Sequence, residues 1–172
     1  MIVNREALLY DRPPIKDMRA TKSVAHGTSY GLTEAGYDLR IQQDVLFTKN
    51  GFRERIVYVA EPGTATLDRI GKLGRFALAS AMEEFDMPSH LVGVVHDKST
   101  WARRGLSVFN TVIEPGWKGF LTLELVYHGE EDLIIPAGSG IAQVLFHQLK
   151  QEASYNGKYQ NQEAAPVPSK ES

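Results

Sequence analysis

Residues 97–124 read DKSTWARRGLSVFNTVIEPGWKGFLTLE, and their order of polar turn, apolar strand, tight corner and second strand decides the fold class. Gly105 to Val112 reads as a strand, Glu114-Pro115-Gly116-Trp117-Lys118-Gly119 as a corner, and Phe120 to Tyr127 as the returning strand. Within that last strand Leu121, Leu123 and Leu125 alternate with Thr122, Glu124 and Val126. A carboxylate in such apolar surroundings has its pKa raised toward neutrality and serves as a general base or acid. Glu124 is therefore the first catalytic candidate, and the alternation predicts that it points into a cleft near Arg103.

The same grammar extends outward. Strand patterns recur at Arg55 to Ala60, Arg75 to Met82, Leu91 to Val95 and Ile141 to Gln148. Glu61-Pro62-Gly63, Met87-Pro88-Ser89 and Pro136-Ala137-Gly138 supply turn chemistry between them. Short strands with frequent turns predict an all-β sandwich, jelly roll or barrel. Upstream, Asn4 is an N-cap for a short helix through Leu9, ended by Pro13-Pro14, and Tyr37 to Ile41 is a strand with one wet face. Residues 16 to 33 show no clear period and read as loop with one short element at most. After Leu149 the chain turns polar and poor in aliphatics, so residues 1–150 are expected to form one β domain and 151–172 an arm that is disordered alone.

Composition excludes several classes of function. The chain has 172 residues, 42% of them hydrophobic, enough for one sizeable core. A net charge of -2 gives no signature of a nucleic-acid or membrane binder, so an anionic ligand must be met by a local cluster. There is no cysteine, and the five histidines are scattered without an HExxH or HxE…CxxC pattern. Hydrolysis or deamination would thus proceed without a zinc-bound water. The N-terminus lacks a signal pattern and no window approaches about 18 apolar residues, so the expected location is the cytoplasm.

Several motifs in order resemble the dCTP deaminase family, of the superfamily shared with trimeric dUTPases, over Ala35 to Gln162. They are Ala35-Gly36-Tyr37-Asp38-Leu39, Lys98-Ser99-Thr100-Trp101-Ala102-Arg103-Arg104-Gly105-Leu106, Val112 to Gly119, Leu121-Thr122-Leu123-Glu124, Gly140 to Phe146, and Tyr155 to Gln162. The resemblance implies a twisted, jelly-roll-like or distorted-barrel fold of the dUTPase type, with short helices and a flexible C-terminal arm. It implies deamination of dCTP to dUTP and ammonia, with Glu124 carrying protons; the family's deaminases have this residue where ordinary dUTPases lack it.

By the same resemblance, Ser99 and Arg103 lie beside the pyrimidine as catalytic partners. The turn from Lys98 through Thr100, Trp101 and Ala102 lies along the substrate, with Lys98 and Thr100 facing the phosphates and the Trp101 ring packing inward. Thr122 and Leu123 are implied to bind the substrate, Glu114 meets the sugar, and Gln143 gives a supporting contact. Tyr155, Lys158 and Gln162 form a clasp that closes on the nucleotide. Mg2+ is expected to arrive with the triphosphate, and a homotrimer to build each site from neighbouring subunits. Two features depart from the family pattern. Glu114 replaces Asp, and the segment from Arg103 to Glu114 is a residue or two shorter, at Phe109-Asn110-Thr111. These departures keep open a triphosphate-cleaving enzyme, whether bifunctional or acting on an altered pyrimidine; a non-catalytic nucleotide sensor is a third reading, which Glu124 disfavours.

Overall fold

The structure is a computed structural model that describes residues 1–10, 12–51, 54–64 and 71–171. Among the described residues three antiparallel sheets carry the chain, and none of them closes on itself into a barrel. The largest has seven strands, in the order β11 (Val112–Ile113), β9 (Leu91–Asp97), β14 (Gly140–Gln148), β4 (Tyr37–Arg40), β3 (Thr28–Leu32) and β2 (Ser23–Ala25), with β1 (Ile2–Val3) also on β14. A three-stranded sheet places β12 (Lys118–Tyr127) between β10 (Leu106–Val108) and β8 (Phe76–Asp86). The third sheet runs β13 (Leu133–Ile135), β5 (Asp44–Asn50), β6 (Glu54–Ala60) and β7 (Gly71–Leu73). Among the described residues there are two one-turn helices, α1 (Ala7–Tyr10) and α2 (Ser99–Ala102).

Tyr37, Phe47, Phe85, Phe146, Leu123 and Leu125 are each 1% exposed or less and form the centre of the core. Burial of such side chains contributes about 1.5–3 kcal/mol each. Leu123 and Leu125 thus pin β12 on both sides of Glu124. A β-bulge between Phe120 and Thr122 interrupts the pairing with β8. Bulges re-aim side chains, and here Leu121 joins Thr122 and Glu124 on one cavity wall, against strict alternation.

Two stretches differ from the sequence reading. Residues 16 to 33 contain a hairpin, β2 to β3, turned by His26 (φ 49) and Gly27 (φ 77). Positive φ at both central residues is the condition of a type I′ turn, whose twist matches paired strands. The strand expected from Gly105 to Val112 is divided: β10 pairs with β12, while β11 pairs with β9 in another sheet. Phe109, Asn110 and Thr111 make the crossing.

Candidate active site

The register of β12 decides where Glu124 stands. One edge of the strand faces Leu78 on β8. At the other, Phe109 N–H donates to the Glu124 carbonyl at 2.8 Å, and Glu124 N–H donates to Asn110 Oδ1 at 3.0 Å. The side chain enters a cavity of about 600 Å³ walled on its apolar side by Phe76, Leu78, Val95, Ile113 and Trp117. That volume lies within the range of about 300–1,000 Å³ usual for small-molecule sites. Half-burial of the Glu124 carboxyl pushes its pKa above the ordinary carboxylate range. Among the described residues it has no side-chain hydrogen bond or ion pair. Glu83, the other carboxyl raised by burial, is instead tied to Arg40 at 2.8 Å as a pin between β8 and β4. Of these two raised carboxyl groups, only Glu124 is free to exchange protons with a ligand.

Thr122, Glu114, Tyr155 and Gln162 line the same cavity, so the structure brings these four sequence-predicted residues to Glu124. Leu123 does not face it; its side chain is fully buried, leaving its backbone as the part nearest the site. The arm reaches the cavity by running along the 114–119 corner. Tyr155 N–H donates to Pro115 O at 2.7 Å, Trp117 Nε1 donates to Tyr159 O at 2.7 Å, and Phe120 N–H donates to Gln162 O at 3.0 Å. Gln160 uses its side chain as a bracket, accepting from Lys118 N–H at 2.6 Å and donating to Gly116 O at 3.0 Å. Close passage requires glycine at 119, where φ is 127 and a Cβ would stand 2.5 Å from Gln162 N. Composition leads to the expectation of an arm disordered alone. In the structure it is seated on its own chain, because these backbone groups and the Trp117 indole supply partners that aliphatic content does not measure.

Beyond Gln162 the tail folds back. Val167 N–H donates to Thr122 Oγ1 at 3.1 Å, and Val167, Pro168 and Ser169 complete the cavity wall. Lys158 donates to Lys170 O at 2.5 Å and stands 5.5 Å from the Tyr159 ring centroid, so it engages the tail.

The turn between β9 and β10 lies elsewhere. Lys98 is turned inward, its ammonium paired with the Asp38 carboxylate and donating to Ser29 Oγ at 2.8 Å. Gln143 Nε2 donates to Asp38 Oδ1 at 3.1 Å and to Thr33 Oγ1 at 3.2 Å, making the buried Asp38 the hub of this cluster. Sequence reasoning named Lys98 and Gln143 but gave Asp38 no role; its signal was a charged residue inside the Ala35–Leu39 motif. Trp101 is 3% exposed and donates Nε1–H to Gly140 O at 2.7 Å, a packing residue as expected. Ser99, Thr100, Ala102 and Arg103 are exposed. Arg103 lines a separate depression with Arg104 and residues 127–132, and among the described residues no hydrogen bond or ion pair joins it to Glu124. The predicted proximity of Arg103 to Glu124 is thus not found within one chain: α2 and the start of β10 carry Arg103 past the far end of β12. No group of three or more His, Asp or Glu among the described residues is placed to hold a metal.

Known proteins carry the same chain pattern. A dCTP deaminase from Protochlamydia amoebophila is 35% identical over 151 residues, covering 81% of this chain and 80% of its own. Another from Acidobacterium capsulatum is 35% identical over 162 residues, covering 86% of each. In fold, the chain is similar to the dCTP deaminase of Agrobacterium tumefaciens, with a TM-score of 0.53 at 18% identity, covering 86% of this chain and 47% of that one. The native EIAV dUTPase gives a TM-score of 0.51 at 16% identity, covering 86% and 93%. The family described as dCTP deaminase-like matches residues 11–149. With relatives at this identity and the Glu124 strand set in a cavity of nucleotide size, the chain belongs to the dCTP deaminase-like family.

Proposed function

We propose that this protein hydrolyses dCTP to dUTP and ammonia in the cytoplasm, with Glu124 as the group that moves protons. The observation that carries this reading is a half-buried, unpartnered carboxyl raised by burial on the wall of a nucleotide-sized cavity, in a chain of this family. Exchange of the 4-amino group for oxygen needs three proton movements. The Glu124 carboxylate takes a proton from water as its oxygen bonds to C4, and the proton passes to ring N3. The tetrahedral carbon then collapses: the second hydroxyl proton moves through Glu124 to the amino nitrogen, the C–N bond breaks, and ammonia leaves. Glu124 ends as it began. Thr122 and the arm residues Tyr155 and Gln162 line the space where the nucleoside would sit, and closure over it excludes water. Mg2+ enters with the triphosphate as part of the substrate.

The active unit we propose is a homotrimer in which Ser99 and Arg103 of one chain complete the Glu124 cavity of another. Support comes from their exposure, their lack of side-chain hydrogen bonds or ion pairs among the described residues, and their distance in the fold from the cavity of their own chain. Mixing tests this. Glu124→Gln and Arg103→Ala homotrimers should each be inactive, and subunit exchange at equal ratio should restore roughly a quarter of the sites by random assortment. Absence of any recovery after proven exchange would place both residues in the site of one chain. The reaction itself is tested by incubation with dCTP, dUTP and Mg2+ and separation of products. Release of ammonia with dUTP is expected; pyrophosphate release without ammonia would replace the deaminase reading.

A further inference from the structure

We infer that Asn110 is a positioning residue for the deamination, its amide standing in for a strand beside β12 and fixing how Glu124 enters the cavity. This inference rests on the reading of Glu124 given above. β10 accompanies β12 only as far as the pair Val108 and Leu125. Phe109 N–H makes the next backbone bond, to Glu124 O, and the chain then departs for β9, where Thr111 O accepts from Val95 N–H at 3.3 Å. On the edge so abandoned, Thr122 O and Glu124 N–H face outward beside the cavity. Asn110 meets both: Nδ2 donates to Thr122 O at 2.6 Å and Oδ1 accepts from Glu124 N–H at 3.0 Å. The polarity fixes the amide's orientation, since a flipped group would set donor against donor.

A carboxamide one methylene from the backbone is well suited to this. Asp lacks the donor, Ser offers a single atom, and Gln reaches farther than the gap. The two peptide groups it holds bracket Leu123, so they set the path of β12 between the Phe120–Thr122 bulge and the buried Leu125. β8 holds one edge of this stretch, through Ser80 and Leu78 opposite Thr122 and Glu124, and the Asn110 clamp holds the other, so the two together oppose drift of the Glu124 Cα. A side chain does this work because the backbone leaves β12 for β9 directly after Phe109.

Misplacement of a reacting group by about 1 Å costs on the order of 10²-fold in rate. In the full-length protein, Asn110→Ala should therefore lower kcat by about 10²-fold with KM for dCTP within about threefold. A role confined to fastening the fold would lower Tm and leave kcat unchanged. Asn110→Asp keeps the acceptor for Glu124 N–H but sets a carboxylate near Glu124, so the acid limb of kcat should move to higher pH. The other titratable groups on the cavity wall, Glu114, Tyr155 and Tyr159, are the same in every variant. The Glu124 carboxyl titration, followed by carbon-13 NMR, gives a readout independent of turnover, with the Asn110→Asp curve expected above wild type. Wild-type kcat in folded Asn110→Ala overturns the inference, as does an unshifted Glu124 titration in Asn110→Asp, which decides the matter if the Ala variant fails to fold. Inactivity of the wild type toward dCTP would overturn the function reading instead, while the titration still judges Asn110.

Discussion

Glu124→Gln is expected to lose deamination by about 10²–10⁴-fold, the range for removal of a general acid or base, while folding normally and still binding dCTP. Gln preserves the shape of the side chain and one acceptor oxygen, but it neither takes a proton from water nor returns one. The direction of the Glu124 shift adds a pH test. Attack on C4 needs the carboxylate, whose pKa stands above the ordinary range because burial disfavours the charge. Turnover should accordingly be full above that raised pKa and fall as pH drops through it, at a pH higher than for an exposed glutamate. The stability sign is opposite. A raised folded-state pKa favours the native state below the unfolded value and loses that advantage as pH rises through the folded one. At neutral pH Glu124→Gln removes a desolvation cost, so its Tm should equal or exceed that of the wild type. Near-normal turnover in this variant would move the proton carrier to Glu114, the other carboxylate among the described residues that line the cavity.

Two truncations of the arm should act in opposite directions. Removing residues 154–172 takes away Tyr155 and Gln162 from the cavity and deprives Trp117 Nε1 of Tyr159 O. The same deletion removes the arm's hydrogen bonds to Pro115 O, Gly116 O, Lys118 N–H and Phe120 N–H. At about 1 kcal/mol for each bond lost, Tm should fall by roughly ten degrees, while KM rises and kcat drops through loss of water exclusion. Removing only 165–172 is a different matter. From sequence, residues beyond Gln162 are expected to contribute little. The structure sets Val167 N–H on Thr122 Oγ1 and Val167 to Ser169 along the cavity wall, in space a nucleotide would take. Their displacement costs about one hydrogen bond, so the short truncation should bind dCTP as tightly as wild type or up to about fivefold more tightly. Titration calorimetry on both truncations gives the comparison. Full activity in the long truncation would make the arm a linker, and weaker binding in the short one would make residues 165–172 part of the substrate grip.

The same residues show how far a linear reading reaches. Prolines and glycines at the turns and apolar alternation between them are local properties, fixed by φ/ψ preference and side-chain period, and they placed most strands and the Glu124 strand without reference to anything distant. The His26–Gly27 hairpin escaped because a histidine at positive φ is unusual and signals no turn by its type. Composition also showed that this chain has no thiolate to act as nucleophile or zinc ligand.

Tertiary structure alone decided which partners those residues meet. Lys98 reads as a free cation on a turn. Its ammonium is spent on Asp38, brought there from β4 by the pairing of β14 with both β4 and β9. Arg103 and Glu124 share a motif neighbourhood of about twenty residues, yet α2 and the entry to β10, opposite Tyr127, separate them within one chain. Asn110 looks like a loop residue until the chain is seen to leave β12 for β9 at that point, and its two hydrogen bonds exist only because two sheets compete for one short segment. Periodicity carries no information about which sheet wins. That depends on the geometry of strands far apart in the chain, and so does the aim of Glu124.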